Sequence, residues 1–184
     1  NINTKFIGID YNKDLINWSQ DYISTLQVNN LHLEFGDWYN LNKEYKMKFD
    51  GIFSIHSLCT LKNINDAIDP LVELNPNWIA FNSLFYEGPL DVLIHIRDHS
   101  RPEIKDEDPD SDFNIFSLDK LKQYFSLKGY SDFYFQKFNM PIDLPQPKNG
   151  ARGTFTVQTE FDERAQFSGP VYLPWYFVIA RKNY

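Results

Sequence analysis

Three short apolar runs in the first third of the chain each end in an acidic or polar residue, and this pattern constrains the fold most. The runs cover residues 5–10, 31–37 and 49–56, and they end at Asp10, Asp37 and His56. In an open parallel sheet, ligands bind beyond the carboxyl ends of the strands. Three such ends, in this order and at this spacing, predict a crevice that binds a nucleoside.

Helical patterns separate the strand-like runs. Asn12 is a typical N-cap, and an apolar stripe at helical spacing follows over residues 15–26. Asp69 followed by Pro70 predicts the start of another helix, because proline lacks an amide hydrogen that the first helical turn leaves unpaired anyway. Residues 78–84 predict the next strand. This alternation is typical of parallel strands joined by right-handed crossovers, and hence of an α/β sandwich.

The second half of the chain has a different pattern. Residues 99–111 are highly charged and predict a surface loop, and for residues 101–112 a lid over the acceptor site is the alternative. Residues 117–129 predict a helix, residues 130–138 a strand, and residues 154–159 with 164–167 a hairpin. The last strand covers residues 171–180, where Pro174 predicts an edge or a bulge. We interpret residues 1–184 as a single domain, in which residues 141–170 are a linker and hairpin insertion before the last strand.

Composition narrows the classes of partner. The formal net charge is −7, which argues against nucleic acid, because phosphate binding needs clustered Lys and Arg. No apolar run approaches the length that spans a membrane, so we expect no membrane partner. Cys59 is the only cysteine of the sequence, which fits a reducing compartment, and we expect a cytoplasmic location. Neutral or cationic small molecules remain as ligands.

In the order of these elements, the chain resembles the class I S-adenosylmethionine-dependent methyltransferases, from the second strand of that family onward. The resemblance implies a Rossmann-like α/β fold, a three-layer sandwich with a mostly parallel sheet, antiparallel C-terminal edge strands and, here, a small hairpin. It also implies S-adenosylmethionine as the cofactor. The motifs that carry it are the acid at Asp10, the Gly36-Asp37-Trp38 element, and the run from Phe49 to His56.

The resemblance assigns roles to these positions. Asp10, with Tyr11 beside it, matches the acid that binds the ribose hydroxyls, and a carboxylate can accept both hydrogen bonds of a vicinal diol. Asp37 matches the acid that meets the adenine, and Trp38 is expected to add a stacking or edge contact. Ser54 is expected to bond the methionine part of the cofactor. Simpler interpretations stay open, since Asp10 could cap a helix and Asp37 could belong to an ordinary turn.

Candidate residues for the transfer step follow the next strands. His56 is the candidate general base, because a histidine near neutral pH can take a proton from an oxygen or nitrogen nucleophile. A partly buried histidine bonded to backbone is the alternative. Tyr86 and Glu87 are candidates for contact with the acceptor. His95 and His99 have a spacing that can hold a metal, but no Glu completes a metal-binding motif, and we expect no metal site.

One departure from the family pattern concerns its first strand. The glycine-rich first strand and turn, which hold the methionine end of the cofactor, have no counterpart in this sequence. In the family this strand lies centrally, and unpaired backbone groups beside a gap would cost about 1–3 kcal/mol each if buried. We expect that a preceding segment of the natural protein, or another chain, fills this position.

The resulting hypothesis is a methyltransferase that acts on a small-molecule acceptor by direct in-line transfer. One alternative is a non-catalytic scaffold or regulatory subunit with the same fold. A less favoured alternative is a nicotinamide-dependent oxidoreductase, whose second strand also ends in a ribose-binding acid. The hairpin at residues 154–167 is expected either to cover a sheet edge or to form a contact in a homodimer.

Overall fold

The computed structural model describes residues 4–97, 99, 110–148, 152–161 and 163–183. The elements of the first half are β1 (Phe6–Asp10), α1 (Lys13–Thr25), β2 (Leu31–Phe35), β3 (Gly51–Ile55), α2 (Ile64–Glu73) and β4 (Trp78–Tyr86). The elements of the second half are β5 (His95–Arg97), β6 (Asp110–Asp112), β7 (Phe116–Ser117), α3 (Leu118–Leu127), β8 (Asp132–Lys137), β9 (Thr154–Gln158), β10 (Arg164–Ser168), β11 (Val171–Tyr172) and β12 (Trp175–Arg181).

The main sheet has the strand order β3-β4-β12-β8, and β7 pairs with the carboxyl end of β4. Strands β3 and β4 are parallel, whereas β12 is antiparallel to both β4 and β8. Strands β1 and β2 form a separate parallel pair. The predicted strand–helix alternation and the antiparallel C-terminal strands are therefore confirmed, and the fold is a Rossmann-like α/β fold.

Strands β1 and β3 belong to different sheets. Within the residues described, each of these strands pairs on one side only. Their apolar side chains are correspondingly open to solvent, with Phe6 51% and Ile55 56% exposed. The family that the chain resembles has a further strand between the counterparts of β1 and β3.

Two of the helices begin where local capping predicts. The Asn12 side chain accepts a hydrogen bond from the Leu15 amide at 3.0 Å and starts α1. The Ser117 hydroxyl accepts one from the Lys120 amide at 3.1 Å and starts α3. Each cap satisfies an amide that has no partner inside the helix, so these starts follow from short-range sequence alone.

The predicted start of α2 at Asp69 and Pro70 is wrong. The helix begins at Ile64, capped by the Asn63 side chain, and Pro70 lies inside it. Burial explains the earlier start, because the apolar face of the helix packs into the core from its first residue. Pro70 removes one helical hydrogen bond, which the packing of this face offsets. The Asp69 carboxylate instead accepts a hydrogen bond from the Tyr124 hydroxyl of α3 at 2.5 Å.

Helices α2 and α3 pack on one face of the main sheet and form the larger core. This cluster comprises Leu58, Ile64, Ala67, Ile68, Leu71, Ile79, Phe81, Phe85, Phe116, Leu118, Leu121, Phe125, Tyr130, Tyr176, Val178 and Ala180. A second cluster lies around Cys59, Leu84, Ile115, Val171, Leu173 and Trp175. Side chains alternate between the two faces along each strand, so the two clusters lie on opposite faces of the main sheet. The paired residues Val178 and Phe81 belong to the first cluster, and the paired residues Trp175 and Leu84 belong to the second.

The C-terminal strand differs from its prediction. Pro174 does not mark an edge or a bulge but separates β11 from β12, which belong to different sheets. Strand β12 lies between β4 and β8, so it is not an edge strand. The predicted hairpin is confirmed as β9 and β10, and β11 joins it in a small sheet of order β11-β10-β9.

The segment predicted as a surface loop is flanked by structure. Strand β6 at its C-terminal end pairs antiparallel with β5. The His95 ring also contacts the Asp112 carboxylate, with 3.1 Å between Nδ1 and Oδ1. The lid hypothesis concerns residues 101–112, of which residues 101–109 lie outside the described residues.

Candidate active site

The carboxyl ends of β1 and β2 lie side by side. Asp10 is in register with Phe35, and the Gly36 amide donates a hydrogen bond to the Asp10 carbonyl oxygen at 3.0 Å. Glycine suits this close approach, because a Cβ at residue 36 would lie 2.6 Å from Cγ2 of Ile9. Asp37 follows directly, so the two predicted nucleoside-binding acids emerge at the same edge of this sheet.

Each of these acids holds the chain turn that follows it. The Asp10 Oδ1 accepts a hydrogen bond from the Asn12 amide at 2.7 Å, and the Asp37 Oδ1 accepts one from the Tyr39 amide at 3.0 Å. These bonds fix the orientation of each carboxylate. Within the described chain, the second oxygen of each has no hydrogen-bond partner, which leaves it open to a ligand.

The aromatic neighbours of these acids differ in their environments. Tyr11 is exposed, and its ring lies 5.9 Å from that of Phe35, measured between centroids. Trp38 is half-buried and packs against the core, and its indole N–H donates a hydrogen bond to the Ala67 carbonyl oxygen at 2.6 Å. Trp38 therefore anchors this segment on α2, and its one polar atom is not available to a ligand.

Ser54 lies on the covered face of the main sheet. It stands opposite Phe81 in the β3–β4 register and is buried. Its hydroxyl has no hydrogen-bond partner within the described residues. The structure therefore places Ser54 in the core beneath α2 and α3, and the predicted bond to a cofactor stays a prediction.

His56 is held at the tip of β3 in an unusual backbone conformation. Its φ angle is +60°, in the left-handed region that few non-glycine residues adopt. The backbone N–H donates to the Asn82 carbonyl oxygen at 2.8 Å, and the ring lies 4.3 Å from the Trp175 ring. Neither ring nitrogen has a partner in the described part of the chain. Strained residues of this kind cluster at functional sites.

A cavity of about 570 Å³ opens beside His56, between the main sheet and the small β9–β10–β11 sheet. Its volume is in the range of small-molecule sites. The residues that line it are His56, Cys59, Asn82, Phe113, Phe138, Met140, Leu144, Arg152, Gly153, Thr154, Gln166, Ser168, Leu173, Trp175 and Phe177. We call this space the His56 cavity.

The structure does not bring Tyr86 and Glu87 to the His56 cavity. The Glu87 carboxylate accepts a hydrogen bond from the Tyr176 hydroxyl at 2.8 Å. Burial, and then this bond, raise the pKa of Tyr176 well above its usual value. Tyr86 is exposed and packs closely on Gly88. Their predicted contact with an acceptor has no support from this geometry.

Sequence reasoning missed most residues of the His56 cavity. Asn82 is a polar residue within the apolar run of β4, and that break in the pattern was a usable signal. Gln166, Trp175 and Phe177 gave no comparable signal, because their strands carry no motif. Cys59 also lines the cavity, and burial raises the pKa of its thiol, which keeps it protonated at neutral pH.

Among the described residues, no group of three or more His, Cys, Asp or Glu side chains could hold a metal ion. No helix in the part of the chain that the structure describes is long and apolar enough to cross a membrane.

The fold is similar to that of several solved structures. One is a SAM-dependent methyltransferase of Methanosarcina mazei, with a TM-score of 0.58 and 13% identity over 96% of this chain and 81% of that one. The N-terminal domain of EvdMO1, crystallised with SAH and D-fucose, has a TM-score of 0.60 at 10% identity and covers 100% of this chain and 68% of that one.

The YcgJ protein of Bacillus subtilis is also similar, with a TM-score of 0.59 and 10% identity over 98% of this chain and 84% of that one. No family model and no curated protein matches the sequence itself. The likeness to these structures shows that the chain has the class I methyltransferase fold.

Proposed function

We propose that this chain binds S-adenosylmethionine and transfers its methyl group to a small-molecule acceptor. The observation that supports this most is the adjacency of Asp10 and Asp37 at one sheet edge, each with a carboxylate oxygen left open. The fold supports it as well, since the similar structures include SAM-dependent methyltransferases. When bound, the cofactor supplies a methyl group on a sulfonium, which is an electrophile with a good leaving group.

The acids at the ends of β1 and β2 would bind the nucleoside part of the cofactor. Asp10, with Tyr11 beside it, would accept the hydrogen bonds of the ribose hydroxyls, and Asp37 would accept from the exocyclic amine of the adenine. Hydrogen bonds from the backbone amides of Asn12 and Tyr39 already orient these two carboxylates, so ligand binding costs little side-chain entropy.

His56 is the proposed general base. Its imidazole is exposed to the cavity, and neither ring nitrogen has a hydrogen-bond partner among the described residues. The ring packs against that of Trp175. A neutral imidazole would take the proton of an acceptor hydroxyl as the new carbon–oxygen bond forms and the carbon–sulfur bond breaks. Most of the acceleration would come from holding the acceptor in line with the methyl group.

Calorimetry with S-adenosylhomocysteine tests the binding claim. Asp10→Ala and Asp37→Ala are each expected to weaken binding by about tenfold or more, because a hydrogen bond to a charged group contributes about 1.5–3 kcal/mol. Asp21→Ala is the matched control, since this acid is exposed on α1 and belongs to neither strand tip. A folded wild-type protein that binds no S-adenosylhomocysteine would contradict the proposal.

A second candidate function is a non-catalytic scaffold with the same fold. The open edges and exposed apolar side chains of β1 and β3 favour it, because a surface of this kind suits contact with another polypeptide. Assembly with a partner, together with no binding of S-adenosylhomocysteine, would support this candidate over the first.

A further inference from the structure

We propose that the His56 cavity is the acceptor site and that it takes an uncharged ring compound bearing several hydroxyl groups. This inference rests on the proposed function and adds the chemical class of the acceptor. Its basis is a contrast between the two walls of the cavity, one aromatic and the other carrying three polar uncharged side chains beside Arg152.

The aromatic wall belongs to the main sheet and its flanks. Trp175 and Phe177 are two residues apart on β12, so their side chains lie on the same face of the sheet. Asn82, which is paired with Phe177, lies on that face as well. Phe177 is exposed although it belongs to a central strand, and Phe138 meets it edge-on with 5.8 Å between ring centroids. Such faces bind the flat apolar side of a ring by stacking.

The polar wall belongs to the small sheet. Thr154 and Ser168 are directly paired across β9 and β10, and Gln166 lies on the same face two residues before Ser168. Gln166 is only 5% exposed, and its side-chain amide makes no hydrogen bond within the described chain. Neither polar atom of this amide is among the fully buried atoms that lack a partner, so the amide is open to the cavity that it lines. The cavity is where a ligand can supply those partners.

Asn82 adds a second buried amide. It is 6% exposed, and its Nδ2 donates to the Tyr176 carbonyl oxygen at 3.3 Å, while its Oδ1 has no partner in the part of the chain described. Gln166 offers both donors and an acceptor, and Asn82 offers an acceptor. Hydroxyl groups can both donate and accept, so they match this set, whereas carboxylates and phosphates only accept.

Charge in the cavity also favours a neutral acceptor. Among the described residues, none of those that line the cavity is an Asp or a Glu, so this part of the lining offers no carboxylate to a cationic ligand. Arg152 is exposed, and its guanidinium already lies over the Phe113 ring at 4.8 Å and donates to the Ser111 hydroxyl at 3.0 Å. Methyl transfer to a hydroxyl of such a ring would give a methyl ether, and the hydroxyl proton would pass to His56.

Binding measured without cofactor tests this inference separately from the proposed function. The probes are methyl β-glucoside for a sugar-type ring, catechol for a phenolic ring, and benzoate as an anionic ring without hydroxyl groups. Calorimetry at millimolar concentrations is expected to detect the glucoside or catechol, and the one that binds identifies the source of the hydroxylated ring. Preference for benzoate, or binding of none of the three, overturns the inference.

Amino-acid substitutions test whether the probe binds in the His56 cavity. Gln166→Leu keeps the volume of the side chain but removes its amide, and it is expected to weaken the bound probe by about tenfold or more, as the loss of ligand hydrogen bonds in a buried site requires. Gln123→Leu, on the exposed side of α3, is the matched control and should leave affinity unchanged. Equal affinity in wild type and Gln166→Leu overturns the inference.

Binding of S-adenosylhomocysteine with no probe binding would refute only this inference. Probe binding without binding of S-adenosylhomocysteine would refute the proposed function and leave the assignment of the cavity in place.

Discussion

The backbone of His56 is bonded to that of Asn82, with 2.8 Å between the His56 amide nitrogen and the Asn82 carbonyl oxygen. This bond continues the β3–β4 ladder one residue beyond the end of β3. It places the candidate base of one strand beside the buried amide of the next. The left-handed backbone at His56 then turns the chain away from the sheet.

Replacement of His56 tests its role as base. His56→Ala is expected to lower the rate of methyl transfer by about 10²–10⁴-fold, the usual contribution of a general base, with the affinity for S-adenosylhomocysteine unchanged. His32→Ala is the control, because this histidine is exposed on β2. An unchanged rate in His56→Ala would assign the residue a structural role.

The same position predicts an effect on stability. His56→Gly is expected to be more stable than His56→Ala by about 1–2 kcal/mol, because only glycine adopts the left-handed region without a steric penalty. Urea unfolding of the two variants measures the difference. Equal stabilities would mean that the loop relaxes to another conformation when the histidine is removed.

Trp38 is expected to be an anchor. Trp38→Phe removes the hydrogen bond to the Ala67 carbonyl oxygen and should lower the free energy of unfolding by about 1 kcal/mol. Trp18→Phe is the control, since this indole is exposed on α1. If Trp38→Phe lowers cofactor affinity and leaves stability unchanged, the sequence-based stacking role is supported instead.

Tyr130 is fully buried, and its hydroxyl donates to the Pro76 carbonyl oxygen at 2.8 Å. Burial raises its pKa to about 12. Tyr130→Phe leaves this carbonyl without its partner and is expected to destabilise the fold by about 1–3 kcal/mol in thermal or urea unfolding. Tyr134→Phe, at a side chain that is 60% exposed, should change stability little.

The Asp69 carboxylate joins α2 to α3 and carries a pH dependence. Hydrogen bonds from Lys128 and Tyr124 hold its pKa below the usual 3.8. A lowered carboxyl pKa stabilises the fold above the unfolded value of 3.8, and this contribution is lost as the pH falls through the folded pKa.

The free energy of unfolding at pH 7 is therefore expected to be higher for wild type than for Asp69→Asn. The difference should be small, because the ion pair of Asp69 and Lys128 is largely solvent-exposed. The difference should vanish in strong acid. Asp119→Asn, an acid in the first turn of α3 outside this network, is the comparison. A difference that is the same at pH 7 and in strong acid would contradict the assignment.

Strand β3, which pairs only with β4 among the described residues, predicts uneven hydrogen exchange. Backbone amides of β3 that point away from β4 should exchange faster than those of β12, which is paired on both sides. Exchange measured by NMR on the 184-residue chain checks this. Equal protection of β3 and β12 would mean that another polypeptide segment covers the open edge in solution.

The sequence alone determined the features that depend on nearby residues. The caps at Asn12 and Ser117, the end of β1 at Asp10, the position of Asp37 just after β2, and the hairpin of β9 and β10 were all predictable. Each depends on hydrogen bonds between neighbours in sequence or on the apolar alternation of one strand. The start of α2 was not predictable from Pro70, because the burial of a helix face outweighed the local preference.

Tertiary structure alone decided the site beside His56. The bond from Asn82 to Tyr176 spans 94 residues, and the register of β4 with β12 brings Trp175 and Phe177 to the same face as Asn82. Gln166 belongs to β10 of the small sheet and lines the same cavity as residues of the main sheet. No short-range pattern encodes these pairings, since they depend on which distant strands lie together once the core is packed.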